Sequence, residues 1–112
     1  MHEMSIALNI VELAENESRA AGGAKIRRIE VEVGALAGVM EEALHFCFAA
    51  ACRDTLAEGA DLLIRSTPGE GECVGCRQVM PMTTNLELCP ACGGLLRMRQ
   101  GAELRLIAIV VD

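Results

Sequence analysis

Cys73-Val74-Gly75-Cys76 and Cys89-Pro90-Ala91-Cys92 bracket a twelve-residue stretch, Arg77 to Leu88, and this spacing governs the reading of the whole chain. Two residues between paired cysteines let each pair curl into a knuckle whose sulfurs face one metal. The spacer is long enough for a hairpin that brings the knuckles together. The pattern predicts a closed tetrathiolate zinc site built by Cys73, Cys76, Cys89 and Cys92. A rubredoxin-type iron site uses the same four thiolates in a tetrahedron, and metal analysis separates the two. A thioredoxin-type redox centre needs a single pair opening a helix in a βαβ setting, which two pairs at ribbon spacing do not resemble. Gly93 after the second pair permits a sharp turn, whereas the first pair runs on into Arg77, so a less regular first knuckle is expected.

Outward from the cysteines, length and charge bound the rest. A chain of 112 residues has room for one small globular unit and a minidomain, and its core is marginal unless a metal staples it. The best apolar run, Ala43 to Cys52, is shorter than the roughly 18 residues of a membrane span and contains His45. Met1-His2-Glu3-Met4-Ser5 lacks the basic start of a signal peptide. These features suggest the cytosol, where thiols stay reduced and such pairs bind metal. A net charge of -6 and pI near 4.9 argue against a nucleic-acid partner, and the aromatic residues, Phe46 and Phe48 alone, form no stacking platform.

The hydrophobic pattern predicts an α+β fold. Met4, Ala7, Leu8, Val11 and Ala14 make a helical stripe ending at Gly22-Gly23, with Glu12, Glu15 and Arg19 toward water. Ile29, Val31 and Val33 alternate with charges as a half-buried strand. A second helix carries Leu44, Cys47, Phe48, Ala51 and Cys52, and Leu62 and Ile64 mark a short strand. Leu104 to Val111 is apolar on both faces, which predicts a central strand or one covered on both sides. The expectation is a small mixed three-stranded sheet with two helices, the helix-linked strands parallel and the last antiparallel. Residues 1–68 and 101–112 form this α/β domain, and 69–100 an inserted zinc-ribbon-like domain.

The opening Met1-His2-Glu3-Met4-Ser5, the strand running into Gly34, the four spaced cysteines and the Glu103-Leu104-Arg105 strand together resemble the HypA/HybF nickel metallochaperones of nickel-iron hydrogenase maturation. The resemblance spans essentially the whole chain. It implies nickel(II) as cargo, held by the Met1 amine, the backbone nitrogens of His2 and Glu3, and the His2 ring. Nickel(II) favours such a square of strong-field nitrogens. It also implies a maturation GTPase as partner, the hydrogenase large subunit as recipient, and Glu41 as an auxiliary contact.

A histidine at position 2 by itself is an ordinary terminal residue, and only the whole-chain resemblance gives it a role. His45 reads as a packed or hydrogen-bonded histidine. Glu41 and Glu42 suit the first turn of a helix. Cys47 and Cys52 behave as small hydrophobes outside the zinc site, and Met80, Met82 and Met98 as packing groups. No phosphate-cradling loop or metal-protease helix is present, so the chain reads as a carrier and not an enzyme. The alternative is a zinc-ribbon module docking on transcription or translation machinery, which the acidic charge disfavours.

Overall fold

A computed structural model describes residues 2–112. Its elements are α1 (Glu3–Ala20), β1 (Ile26–Gly34), α2 (Glu41–Cys52), β2 (Asp61–Thr67), β3 (Glu70–Cys73), β4 (Val79–Pro81), β5 (Leu96–Gln100) and β6 (Leu104–Val111). They compose two compact units. The first holds the residues up to Glu32, Val39–Arg65 and Arg105–Asp112, and the second holds Val33–Gly38 and Ser66–Leu104.

In the first unit α1 stops where Gly22 and Gly23 take positive φ and the Gly23 amide donates to Ser18 O, a left-handed helix stop. The face it buries is Ile6, Ala7, Ile10, Val11, Ala14 and Ser18. The expected stripe is therefore rotated. Ala7, Val11 and Ala14 are inside, but Met4 and Leu8 are exposed and Ile6 and Ile10 take their place. Both rows flank Ala7 and Val11 at helical spacing, and packing against α2 chooses between them. Glu15 is also half-buried, its carboxylate accepting the Leu56 amide at 3.1 Å and pairing with Arg19. From α2 come Leu44, Phe48, Ala51 and Cys52. Ile26, Ile29 and Val31 of β1 complete the core, and each large side chain so buried contributes about 1.5–3 kcal/mol.

The strands lie in the order β2-β1-β6. The Gly34 amide bonds Glu103 O at one end of β1, and the Asp112 amide bonds Lys25 O at the other, so β1 and β6 run antiparallel. Ala35 N–H to Thr67 O joins the carboxy-terminal ends of β1 and β2, and the Arg65–Glu30 ion pair links them further back, so the two strands are parallel. The sheet is mixed, as expected. Its centre, however, is β1, whereas β6 is an edge strand with Ile107 and Val110 exposed. Pairing direction explains this: β6 is antiparallel to β1 and takes the side of β1 that parallel β2 leaves open, so its apolarity does not make it central.

The second unit is a three-stranded antiparallel sheet in the order β4-β3-β5, with Glu70 opposite Pro81 on one side and Cys73 opposite Leu96 on the other. Its core is Leu36, Cys73, Met82, Cys89 and Leu96, with Met80 and Met98 packed against it. The methionines thus serve packing. Two of these five core side chains are thiols, so apolar burial alone holds this unit weakly and a metal staple is physically apt.

Candidate metal centres

The four predicted cysteines converge. Their sulfurs all lie within 4.8 Å of one another, with Cys73 and Cys89 buried and Cys76 and Cys92 exposed. Cys73 Sγ is 3.4 Å from Cys92 Sγ, and Cys76 Sγ is 3.8 Å from Cys89 Sγ. Thiolates at the ~2.3 Å zinc–sulfur distance in a tetrahedron stand about 3.8 Å apart, so the donor set fits zinc. Four sulfurs close the coordination sphere and leave no position for substrate, which marks a structural site.

Each knuckle is held by the same bonds. The Arg77 amide donates to Cys73 O at 3.0 Å and the Gly93 amide to Cys89 O at 2.8 Å. Cys73 N–H then reaches Gln78 O, and Cys89 N–H reaches Gly94 O. Arg77 and Gly93 both take left-handed φ, 65° and 76°. The first knuckle is therefore as regular as the second, contrary to expectation, at a strain of roughly 1–2 kcal/mol at the non-glycine Arg77. Aligning the two Cys-x-x-Cys segments by their cysteines sets Arg77 against Gly93, a signal already available in the sequence. Gly94 was missed as well. A Cβ there would lie 2.9 Å from Cys73 Sγ and 3.3 Å from Cys92 Sγ, so only glycine admits the sulfurs this closely.

Backbone amides prepare the sulfurs. At Cys73 the Cys76 amide, helped by Gly75, outweighs burial and draws the thiol down to about 6. At Cys76 the Gln78 amide favours the thiolate, but burial and the neighbouring sulfurs push the thiol up to about 11. A cation placed among them stabilises all four thiolates. Outside the cluster, burial and then Glu15 push the Cys52 thiol up to about 11. Cys52 is thus an inert core thiol, and Cys47 is half-buried on the same helix.

The amino-terminal residues lie in the first unit. Met1 falls outside the described residues. His2 is exposed, extended at φ -88° and ψ 122°, and caps α1 with its carbonyl, which accepts the Ile6 amide at 3.1 Å. Its side chain makes no capping bond. Glu3 accepts the Met40 amide at 3.2 Å, and this bond, followed by its own amide, holds its carboxyl below the usual range. The same bond brings the start of α2, where Glu41 is the first residue, to the start of α1. His45 is exposed on α2, so the packed histidine expected there is not found.

A mixed α/β unit joined to a ribbon closed by four convergent thiols defines a small metal-binding protein. A family model described as "HypA: Hydrogenase/urease nickel incorporation, metallochaperone, hypA" matches residues 1–111, and the chain belongs to this family. It is 46% identical to the hydrogenase maturation factor HypA of Geobacter sulfurreducens and 44% identical to that of Chlorobaculum tepidum, each over 100% of both chains. The solution structure of the nickel metallochaperone HypA from Helicobacter pylori shares the fold, with a TM-score of 0.69 at 24% identity over 99% of this chain and 97% of that one. These likenesses favour a nickel metallochaperone over a module docking on transcription or translation machinery.

Proposed function

We propose that this protein takes up nickel(II) at its amino terminus and delivers it for assembly of the nickel-iron hydrogenase active site, acting as a carrier and not as a catalyst. Residues 1–68 and 101–112 carry the nickel end, and 69–100 form the inserted zinc-binding domain, with Cys73, Cys76, Cys89 and Cys92 holding a structural zinc. The nickel ligands are the Met1 amine, the amide nitrogens of His2 and Glu3, and the His2 ring. A maturation GTPase is the partner and the hydrogenase large subunit the recipient. The carrier works in the cytosol; among the described residues no helix is long and apolar enough to cross a membrane.

The observation that carries the reading of the ligands is the start of α1 at Glu3. The first amides of a helix have no intrahelical acceptor. The His2 and Glu3 nitrogens are among them, so deprotonation and coordination sacrifice no helical hydrogen bond. The exposed His2 ring is free to swing onto the same ion, and the Glu3 carboxylate, anchored by Met40, supplies negative charge beside it. Nickel titration followed by the absorption of the square-planar ion tests this. His2→Ala and an extension before Met1 each abolish tight binding while zinc and fold persist; equal binding by these variants and the unmodified chain refutes the site.

A further inference from the structure

Resting on the reading of the cysteine cluster as a zinc site, we propose that it is also a peroxide-reactive thiol site, in which Cys92 is oxidised and Cys73 resolves it to a disulfide joining the two knuckles, with loss of the metal.

Three observations carry this. Two sulfur contacts join the knuckles, Cys73 Sγ to Cys92 Sγ at 3.4 Å and Cys76 Sγ to Cys89 Sγ at 3.8 Å, and the first is the shorter. Each close pair contains one exposed and one buried cysteine, Cys92 with Cys73 and Cys76 with Cys89. An oxidant from solvent therefore meets one sulfur of each pair while its partner waits behind it. Third, the backbone beside the close pair has no side chain to obstruct it. Gly75 and Gly94 both face these sulfurs, so closing from 3.4 Å to the ~2.05 Å of a disulfide displaces no bulky group.

The electrons balance with a hydroperoxide as oxidant. The Cys92 thiolate attacks one peroxide oxygen; the oxygen–oxygen bond breaks, and the departing hydroxide takes a proton to leave as water. Cys92 is then a sulfenic acid, whose oxygen no longer leaves the sulfur a strong metal donor. The Cys73 thiolate attacks the Cys92 sulfur, forms the sulfur–sulfur bond and expels hydroxide, protonated to a second water. One peroxide is reduced and two thiolates are oxidised. The same steps at Cys76 and Cys89 consume another peroxide. A reduced thiol reverses the bond by exchange, after which the four thiols accept zinc again.

The test uses full-length zinc-loaded protein. Zinc in the untreated sample is measured first, and its absence there refutes the zinc reading itself. Hydrogen peroxide is then added stepwise, release is followed with a chromogenic chelator, and disulfides are mapped by mass spectrometry after blocking free thiols. The expected result is loss of the zinc, a mass before thiol blocking about 4 Da below that of the reduced, metal-free chain once two disulfides form, a Cys73–Cys92 link dominating at the first equivalent, and recovery of zinc binding after dithiothreitol. A Cys47→Ala, Cys52→Ala double variant should respond identically. Retained zinc under excess peroxide, links within a knuckle (Cys73–Cys76 or Cys89–Cys92), or mass gains from sulfinic acids without disulfides would each overturn the proposal.

Discussion

Replacing Gly94 by alanine adds one methyl group, and the structure says where it goes. The new Cβ lies 2.9 Å from Cys73 Sγ and 3.3 Å from Cys92 Sγ. Restoring ordinary contact requires Cys73 Sγ to retreat by about 0.5 Å, more than the ~0.2 Å latitude of a zinc–ligand distance. The backbone cannot easily give way instead, because Gly94 O holds the Cys89 amide at 2.7 Å and its own amide donates to Cys92 Sγ. The expected loss resembles that of an outer-sphere partner, roughly 10- to 100-fold in zinc affinity, or about 1.4–2.7 kcal/mol. Gly75→Ala is the matched control. Its Cβ meets the same two sulfurs at 3.5 and 3.8 Å, ordinary contact, so zinc affinity should stay within a small factor of the parent. Competition with a chromogenic chelator at neutral pH measures both. If the two variants bind zinc equally well, the argument that Gly94 makes room for the cluster is wrong.

Other perturbations follow from the same geometry. Cys89→Ser combined with Cys92→Ser should abolish zinc binding and loosen Glu70–Gln100, read by metal analysis and amide exchange, because two of the four donors and one core side chain go together. Leu44→Ala, at a fully buried position of α2, should cost about 2–5 kcal/mol in denaturant unfolding of the first unit while leaving zinc content unchanged. Arg77→Gly relieves roughly 1–2 kcal/mol of left-handed strain against about 0.4–1 kcal/mol of added unfolded-chain entropy, so thermal unfolding of the zinc-bound protein should hold or rise, and a fall would contradict the strain assignment. The Glu87 carboxyl is held low first by the Thr83 amide, with the Thr83 hydroxyl and Thr84 adding to it. Its depressed folded value means that it stabilises this turn fully above the ordinary carboxylate range and loses that effect as pH falls through the folded value. The protection factors of the Thr83 and Thr84 amides, taken against the intrinsic exchange rate at each pH, should fall in acid, and Glu87→Gln should remove that dependence.

What could be read in advance was whatever short-range periodicity and spacing encode. The convergence of Cys73, Cys76, Cys89 and Cys92 was legible because a Cys-x-x-Cys unit is itself a turn that aims both sulfurs one way, and a second unit supplies the rest. The presence of α1, β1, α2, β2 and β6 was legible for a similar reason: apolar residues recur at 3.6 or 2, and Gly22-Gly23 interrupts them. Relations between distant segments decided the remainder. Met4-Leu8 and Ile6-Ile10 are equally apolar rows on α1, and only contact with α2 buries the second and leaves the first in water. The alternation of β6 is that of a covered strand, yet antiparallel pairing with β1 sets it at the edge. Glu15 reads as a solvent-facing charge until the Leu56 amide, 41 residues away, claims its carboxylate. Local sequence dictates which conformations and ligands are available; the matching of faces and hydrogen-bonding groups brought together from far along the chain selects among them, because burial and pairing energies exist only once both partners are in place.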